Sequence, residues 1–72
     1  MKTFDIKIFG KRMRELRLEK SLTFFQVAVG SGCQPSAIHK WESGDRIPMA
    51  DNLFKLAQFF GVSIDYLVGL VD

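Results

Sequence analysis

The segment that decides the fold is residues 23–44, which read TFFQVAVGSGCQPSAIHKWESG. It holds two short helical patterns joined by a tight turn. Thr23 and Gln26 have the spacing of a capping box, in which each side chain binds the other residue's backbone N–H, so a first helix is predicted over about 24–30. Gly32 can adopt the positive φ of a sharp turn, and glycine is common where helices end.

The second helical pattern begins at Pro35, because proline fits the first turn of a helix, where a missing N–H costs nothing. This helix is predicted over about 35–43, ends at Gly44, and points Ile38 and Trp41 inward. Two short helices joined by a tight turn are the layout of a DNA-binding helix-turn-helix, whose second helix lies in the major groove. The segment therefore predicts a DNA-reading unit.

The rest of the chain carries three more helical patterns and no strand-like alternation. Phe9, Met13 and Leu16 recur at helical spacing and predict helix 1. Gly10 inside it costs up to about 1 kcal/mol relative to alanine, so either the glycine serves close packing or the helix begins after it. The predicted ranges are about 5–20 for helix 1, about 50–60 for helix 4 and about 64–69 for helix 5. The predicted fold class is all-α, in a single domain over residues 1–72.

Composition excludes several classes of protein. A hydrophobic content of 47% argues against disorder, and a single cysteine allows no internal disulfide and no cysteine metal site. The apolar runs are far shorter than the roughly 18 residues of a membrane span, and the N-terminus lacks a signal pattern. No Cys–His pair, phosphate-binding glycine loop or acidic metal cluster is present. We therefore expect a cytoplasmic protein that is not an enzyme and binds neither metal, cofactor nor membrane.

The charge is distributed unevenly, although the net charge is only +2. Residues 1–20, including Lys2, hold seven of the ten basic residues, whereas residues 47–72 hold one, Lys55, against three aspartates. The electrostatic field of such an uneven charge distribution can orient a protein on a polyanion. A solvated charged helix is the alternative interpretation of the same pattern.

A series of motifs from Phe9 to Leu67 resembles the phage-repressor family of helix-turn-helix proteins, the lambda Cro and repressor group and its bacterial relatives. The motifs are RELR at residues 14–17, Val27-Ala28, Gly32, Ile38-x-x-Trp41-Glu42-x-Gly44, Pro48, Leu53-x-x-Leu56-Ala57 and Phe60-Gly61-Val62-Ser63. The resemblance implies a compact five-helix bundle in which helices 2 and 3 form the DNA-reading unit. It also implies a buried ion pair between Arg17 and Glu42.

The same resemblance places five residues toward the groove: Gln34, Pro35, Ser36, Ala37 and Lys40. Their chemistry suits base edges. Lys40 can donate to guanine or to a phosphate, Ser36 can bond either kind of edge, and the Ala37 methyl can contact thymine. Gln34 can make a bidentate contact to adenine. Ser36 and Ala37 can equally be plain helix residues without a reading role.

The DNA backbone is expected to be held by other groups. The free amides of Phe24 and Phe25 at the start of helix 2 suit an anion, and Ser43 and Arg46 beyond helix 3 can reach phosphates. Two phenylalanines here depart from the polar pair that relatives often carry. Their rings can pack on helix 1 or cover a partner.

These observations predict a sequence-specific DNA-binding transcriptional regulator, a repressor, that acts as a homodimer on a palindromic operator with half-sites about 10 base pairs apart. Exposed apolar residues near the C-terminus are candidates for the dimer contact, or they pack back on helix 1: Tyr66, Val68, Leu70 and Val71. The alternative function is a protein-binding module on the same fold, an antitoxin or anti-regulator, that docks its partner on Phe24 and Phe25.

Overall fold

The computed structural model describes residues 3–72, so Met1 and Lys2 of the predicted domain and basic segment lie outside the described residues. Within the described part the chain forms five α-helices and no strand, which confirms the predicted fold class. The helices are α1 (Ile6–Glu19), α2 (Phe24–Ser31), α3 (Pro35–Ser43), α4 (Ala50–Phe60) and α5 (Ile64–Val68). None of the helices in residues 3–72 is long and apolar enough to cross a bilayer.

Local hydrogen bonds set the helix starts. An Asp5 carboxylate oxygen accepts from the backbone N–H of Lys7 at 2.9 Å and caps α1. At the start of α2, Thr23 Oγ1 accepts from the backbone N–H of Gln26 at 3.1 Å, and Gln26 Oε1 accepts from that of Thr23 at 2.9 Å. The predicted capping box is therefore confirmed. The helix ends at Gly32, whose φ of +79° provides the sharp turn into α3.

One hydrophobic core draws side chains from all five helices. Its buried members are Phe9, Met13, Leu16, Val27, Ala28, Ala37, Ile38, Trp41, Leu56, Phe60 and Leu67. Helix α3 packs against both α1 and α2, while α5 packs against α1 and α4. Trp41 at the centre meets the ring of Phe9 edge to face, with centroids 6.3 Å apart. The core thus fixes the position of α3 through its inward face.

Gly10 is the point of closest approach between α1 and α3. A Cβ at this position would lie 2.7 Å from the carbonyl oxygen of Trp41 and 2.8 Å from that of Glu42. Helix α1 runs unbroken through this glycine, so close packing is the correct interpretation and a helix start after Gly10 is wrong. The missing side chain lets the end of α3 lie directly against α1.

Candidate nucleic-acid interface

Helix α3 presents a polar outward face. Ser36, Lys40 and Ser43, spaced four and three residues apart, are all exposed and form one stripe along the helix. Gln34 and Pro35 are exposed at its start, where Gln34 supplies no side-chain cap. Four of the five predicted base-reading residues, those other than Ala37, therefore lie on the accessible side of α3.

Ala37 does not belong to this face, so the prediction that it points toward the groove is wrong. Only 6% of the residue is exposed, and it packs in the core. The reason is helical geometry: Ala37 lies four residues before Trp41, and residues at this spacing stack on one face of a helix. Ala37, Ile38 and Trp41 together form the inward stripe of α3.

The ion pair between Arg17 and Glu42 is present and joins α1 to the end of α3. Arg17 Nε donates to Glu42 Oε2 at 2.7 Å and Nη2 donates to Oε1 at 3.0 Å. The two side chains are only 13% and 6% exposed. Arg17 Nη1 also donates to the carbonyl oxygen of Leu22 at 3.0 Å. The hydrogen bond with Glu42 raises the pKa of Arg17 above its ordinary value, although burial opposes the shift.

The first turn of α2 carries two unpaired backbone donors. Within residues 3–72, neither the Phe24 N–H nor the Phe25 N–H has a hydrogen-bond acceptor, because Thr23 caps the amide of Gln26. The two rings have different surroundings. Phe24 is half-buried under the Arg17 guanidinium, whose Cζ lies 4.2 Å from the ring centroid, whereas Phe25 is 66% exposed.

The two residues predicted beyond α3 are both accessible, but Ser43 is the last residue of α3 and only Arg46 lies beyond the helix. Ser43 Oγ lies 3.1 Å from the Lys40 carbonyl oxygen and 3.0 Å from Asp45 Oδ2, so its hydroxyl is engaged locally. Arg46 is exposed and, among the described residues, takes part in no ion pair. Its guanidinium is therefore available to an anion, while Ser43 would first have to rotate.

Helix α3 lies between two clefts that the sequence did not predict. The cleft on the α1 side, about 280 Å³, is lined by Arg14, Arg17, Phe24, His39, Glu42 and Ser43. The cleft on the α4 side, about 310 Å³, includes Gln34, Arg46, Asn52 and Lys55 in its lining. Basic side chains thus stand on both sides of the polar stripe.

Sequence reasoning missed two residues of the α1-side cleft, Arg14 and His39. The sequence placed Arg14 only in the basic segment and in the RELR motif, and it assigned His39 no role in the site. The available signal was their spacing: Arg14 lies three residues before Arg17 and His39 four residues before Ser43, so each shares a helix face with a residue already chosen.

Comparison with known proteins places the chain in a family. A helix-turn-helix family model matches residues 13–67. The HTH-type transcriptional regulator YobD of Bacillus subtilis is 35% identical over 65 residues, which make up 90% of this chain and 58% of that protein. The chain thus spans little more than half the length of this curated relative.

Two crystal structures share the fold. The restriction-modification controller protein C.AhdI from Aeromonas hydrophila superposes with a TM-score of 0.81 at 35% identity, over 88% of this chain and 96% of that one. The P22 c2 repressor in complex with a synthetic operator superposes with a TM-score of 0.79 at 28% identity, over 83% and 91%. With the matched residues, the five helices and these likenesses in agreement, the chain belongs to the lambda-repressor-like helix-turn-helix family.

Proposed function

We propose that this protein is a sequence-specific DNA-binding transcriptional regulator, a repressor, that reads the major groove with α3. The observation that carries the proposal is the exposed stripe of Ser36, Lys40 and Ser43 on α3. The opposite face of the same helix is buried in the core, which fixes the stripe toward the outside. The names of the relatives and the operator-bound structure support this role. A cytoplasmic location and the absence of catalytic activity are part of the same proposal.

Base reading is assigned to three side chains. Lys40 can donate to guanine O6 or N7, Ser36 can bond a neighbouring base edge, and Gln34 at the helix start can form a bidentate contact with adenine. Pro35 fixes the backbone between Gln34 and Ser36 and offers an apolar surface. Each good bidentate contact discriminates between bases by about 1–3 kcal/mol.

Backbone phosphates are held on both sides of α3 in this proposal. The free N–H groups of Phe24 and Phe25 lie at the positive end of the α2 dipole, which favours an anion. Arg46, and Ser43 after rotation, reach the phosphates beyond the other end of α3. Contacts of this kind set the register of the protein on DNA without reading sequence.

A single α3 reads only a few base pairs, so we propose a homodimer on a palindromic operator with half-sites about 10 base pairs apart. The C-terminal residues divide into two groups. Tyr66 packs back on α1, where Arg12 Cζ lies 4.4 Å from its ring centroid, and Val68 is half-buried. Leu70 and Val71 are 57% and 48% exposed and remain candidates for the dimer contact.

The second candidate function is a protein-binding module on the same fold, an antitoxin or anti-regulator. One observation favours it: Phe25 and Val29, one helical turn apart on α2, are 66% and 68% exposed. Because Phe24 is engaged with Arg17, the docking surface would be Phe25 with Val29 rather than Phe24 with Phe25. A stoichiometric protein complex that survives high salt and is lost in Phe25→Ser would support this function.

Selection of bound sequences from random duplexes tests the main proposal. We expect a palindromic consensus, and we expect Ser36→Ala and Lys40→Ala to lower affinity for it more than for unrelated duplexes. Val29→Ser serves as the matched control, since Val29 is 68% exposed on α2 and lies outside both the reading stripe and the phosphate-binding residues. Binding that is salt-sensitive but blind to sequence would contradict the proposed readout.

A further inference from the structure

The cleft between α1 and α3 contains one arginine and one histidine that take part in no ion pair among the described residues. Arg17 is held by Glu42 and by the carbonyl oxygen of Leu22. Arg14 and His39 line the same cleft, are exposed, and have no side-chain hydrogen bond or ion pair among the described residues. They are therefore free to bind a ligand that enters the cleft.

Packing holds His39 at the mouth of this cleft. Its ring meets the ring of Phe24 edge to face, with centroids 5.3 Å apart, and Phe24 is itself held by the Arg17 guanidinium. Phe24 also begins α2, so the cleft borders the free amides at the start of that helix. On α3, His39 is adjacent to Lys40 of the reading stripe.

We propose that this cleft receives one phosphate of the DNA backbone, that Arg14 and protonated His39 bind it, and that affinity for duplex DNA therefore increases as the pH falls. The inference rests on the proposed function, because it adds a pH-dependent backbone contact to the same interface. It assigns Arg14 and His39 a role in DNA binding.

The direction of the pH dependence follows from the charges that face His39. Arg14 and Arg17 line the cleft from α1 and Glu42 lines it from α3, while Phe24 contributes no charge from α2. Two guanidiniums and one carboxylate leave the lining with one net positive charge when the imidazole is neutral. Protonation raises this to two, which is favourable beside a phosphate. Binding therefore takes up a proton, and histidine is the side chain whose ordinary titration lies between pH 5 and 8.

The experiment measures the binding of the full chain to a labelled mixed-sequence duplex by fluorescence anisotropy near pH 5.5 and near pH 8. We expect binding about fivefold tighter at the lower pH, the size of one partly exposed ion pair. The slope of log K against log salt should also steepen by about 0.9. His39→Gln should lose the increase near pH 5.5, so that its affinity changes little between the two pH values. His39→Arg should bind tightly at both.

Two further variants distinguish a specific contact in the cleft from a general effect of positive charge on DNA affinity. Arg14→Gln and Lys11→Gln each remove one cation from α1, but Lys11 lies outside this cleft and its side chain is 79% exposed. Arg14→Gln should weaken binding more than Lys11→Gln at both pH values. Equal losses in the two variants would overturn the role of Arg14. Thermal melts of every variant, followed by circular dichroism, serve as the control that the fold is retained.

A spectroscopic signal reports on His39 directly, because it is the chain's single histidine. Near pH 7, addition of duplex should move the imidazole NMR resonances toward their protonated positions. Unmoved resonances, or a pH dependence that survives in His39→Gln, would overturn the inference while leaving DNA binding intact. Absence of duplex binding at both pH values would instead overturn the proposed function, and this inference with it.

Discussion

Replacing Arg17 by methionine should be among the most damaging single changes in this domain. The guanidinium makes two hydrogen bonds to Glu42, at 2.7 and 3.0 Å, and a third to the Leu22 carbonyl oxygen. Its removal leaves a carboxylate that is 6% exposed without its partner. Breaking a buried pair in this way costs about 3–5 kcal/mol. A chain of this length has a total stability of only about 4–11 kcal/mol, so Arg17→Met should approach global unfolding.

Urea denaturation followed by far-UV circular dichroism measures this loss, provided that the slope with denaturant is unchanged between variants. At about 4–8 °C per kcal/mol, the melting temperature should fall by at least about 12 °C. The double variant Arg17→Met with Glu42→Leu should recover most of the loss, because an apolar pair of similar volume leaves no buried charge. The cycle should therefore yield a coupling energy of about 2 kcal/mol or more.

The pH dependence of this pair has a definite sign. Glu42 raises the pKa of Arg17, so the contribution of the guanidinium charge is complete below the ordinary arginine pKa and is lost only as the pH rises through the raised value. Stability should therefore not fall through this group between about pH 7 and about pH 10.

Two results would contradict an anchoring role for the pair. One is a loss of under about 1 kcal/mol in Arg17→Met. The other is a double variant whose loss of stability equals the sum of the losses in the two single variants.

Three other predictions concern the close contact, the cap and the reading stripe. Gly10→Ala should lower the free energy of unfolding by about 1–2 kcal/mol in a urea titration, because overpacking against the Trp41 carbonyl outweighs a helix gain of up to about 1 kcal/mol; a more stable variant would refute the close contact. Thr23→Ala should cost about 0.5–2 kcal/mol by removing the cap on Gln26, and unchanged thermal melting would contradict it. Lys40→Ala should relax base preference at one operator position in a repeated duplex selection, whereas an equal loss on all sequences would assign Lys40 to a phosphate.

The helices could be predicted because each boundary depends on neighbours in the sequence. Thr23 and Gln26 cap one another, Pro35 occupies the first turn of α3, and Gly32 and Gly44 adopt left-handed φ values of +79° and +83°. Such signals act within four residues and need no knowledge of the fold. The Arg17–Glu42 pair spans 25 positions, and only the family resemblance indicated it.

The inward direction of Ile38 and Trp41 was predicted correctly, but the width of the buried face of α3 was harder to predict, because it depends on contacts distant in the sequence. Ala37 is small enough to suit either face, so its residue type does not decide its direction. It turns inward because Ile38 and Trp41 both pack in the core, which leaves Ala37 on the same side. The cleft containing Arg14 and His39 was missed for a similar reason, since its walls come from three different helices.

The burial of Ala37 also changes what one copy of this chain can read. Because the Ala37 methyl is buried, the polar side chains of α3 that can contact bases are Gln34, Ser36 and Lys40. Each of them can contact one or two base pairs of the operator. Each mismatch then costs about 1–3 kcal/mol, so three contacts distinguish few sites among the many non-specific ones in a genome. Two copies on a palindrome double the number of contacts without a new residue. The narrower reading face is thus a physical reason for a dimer, and a monomer that binds one half-site as selectively as the full palindrome would contradict it.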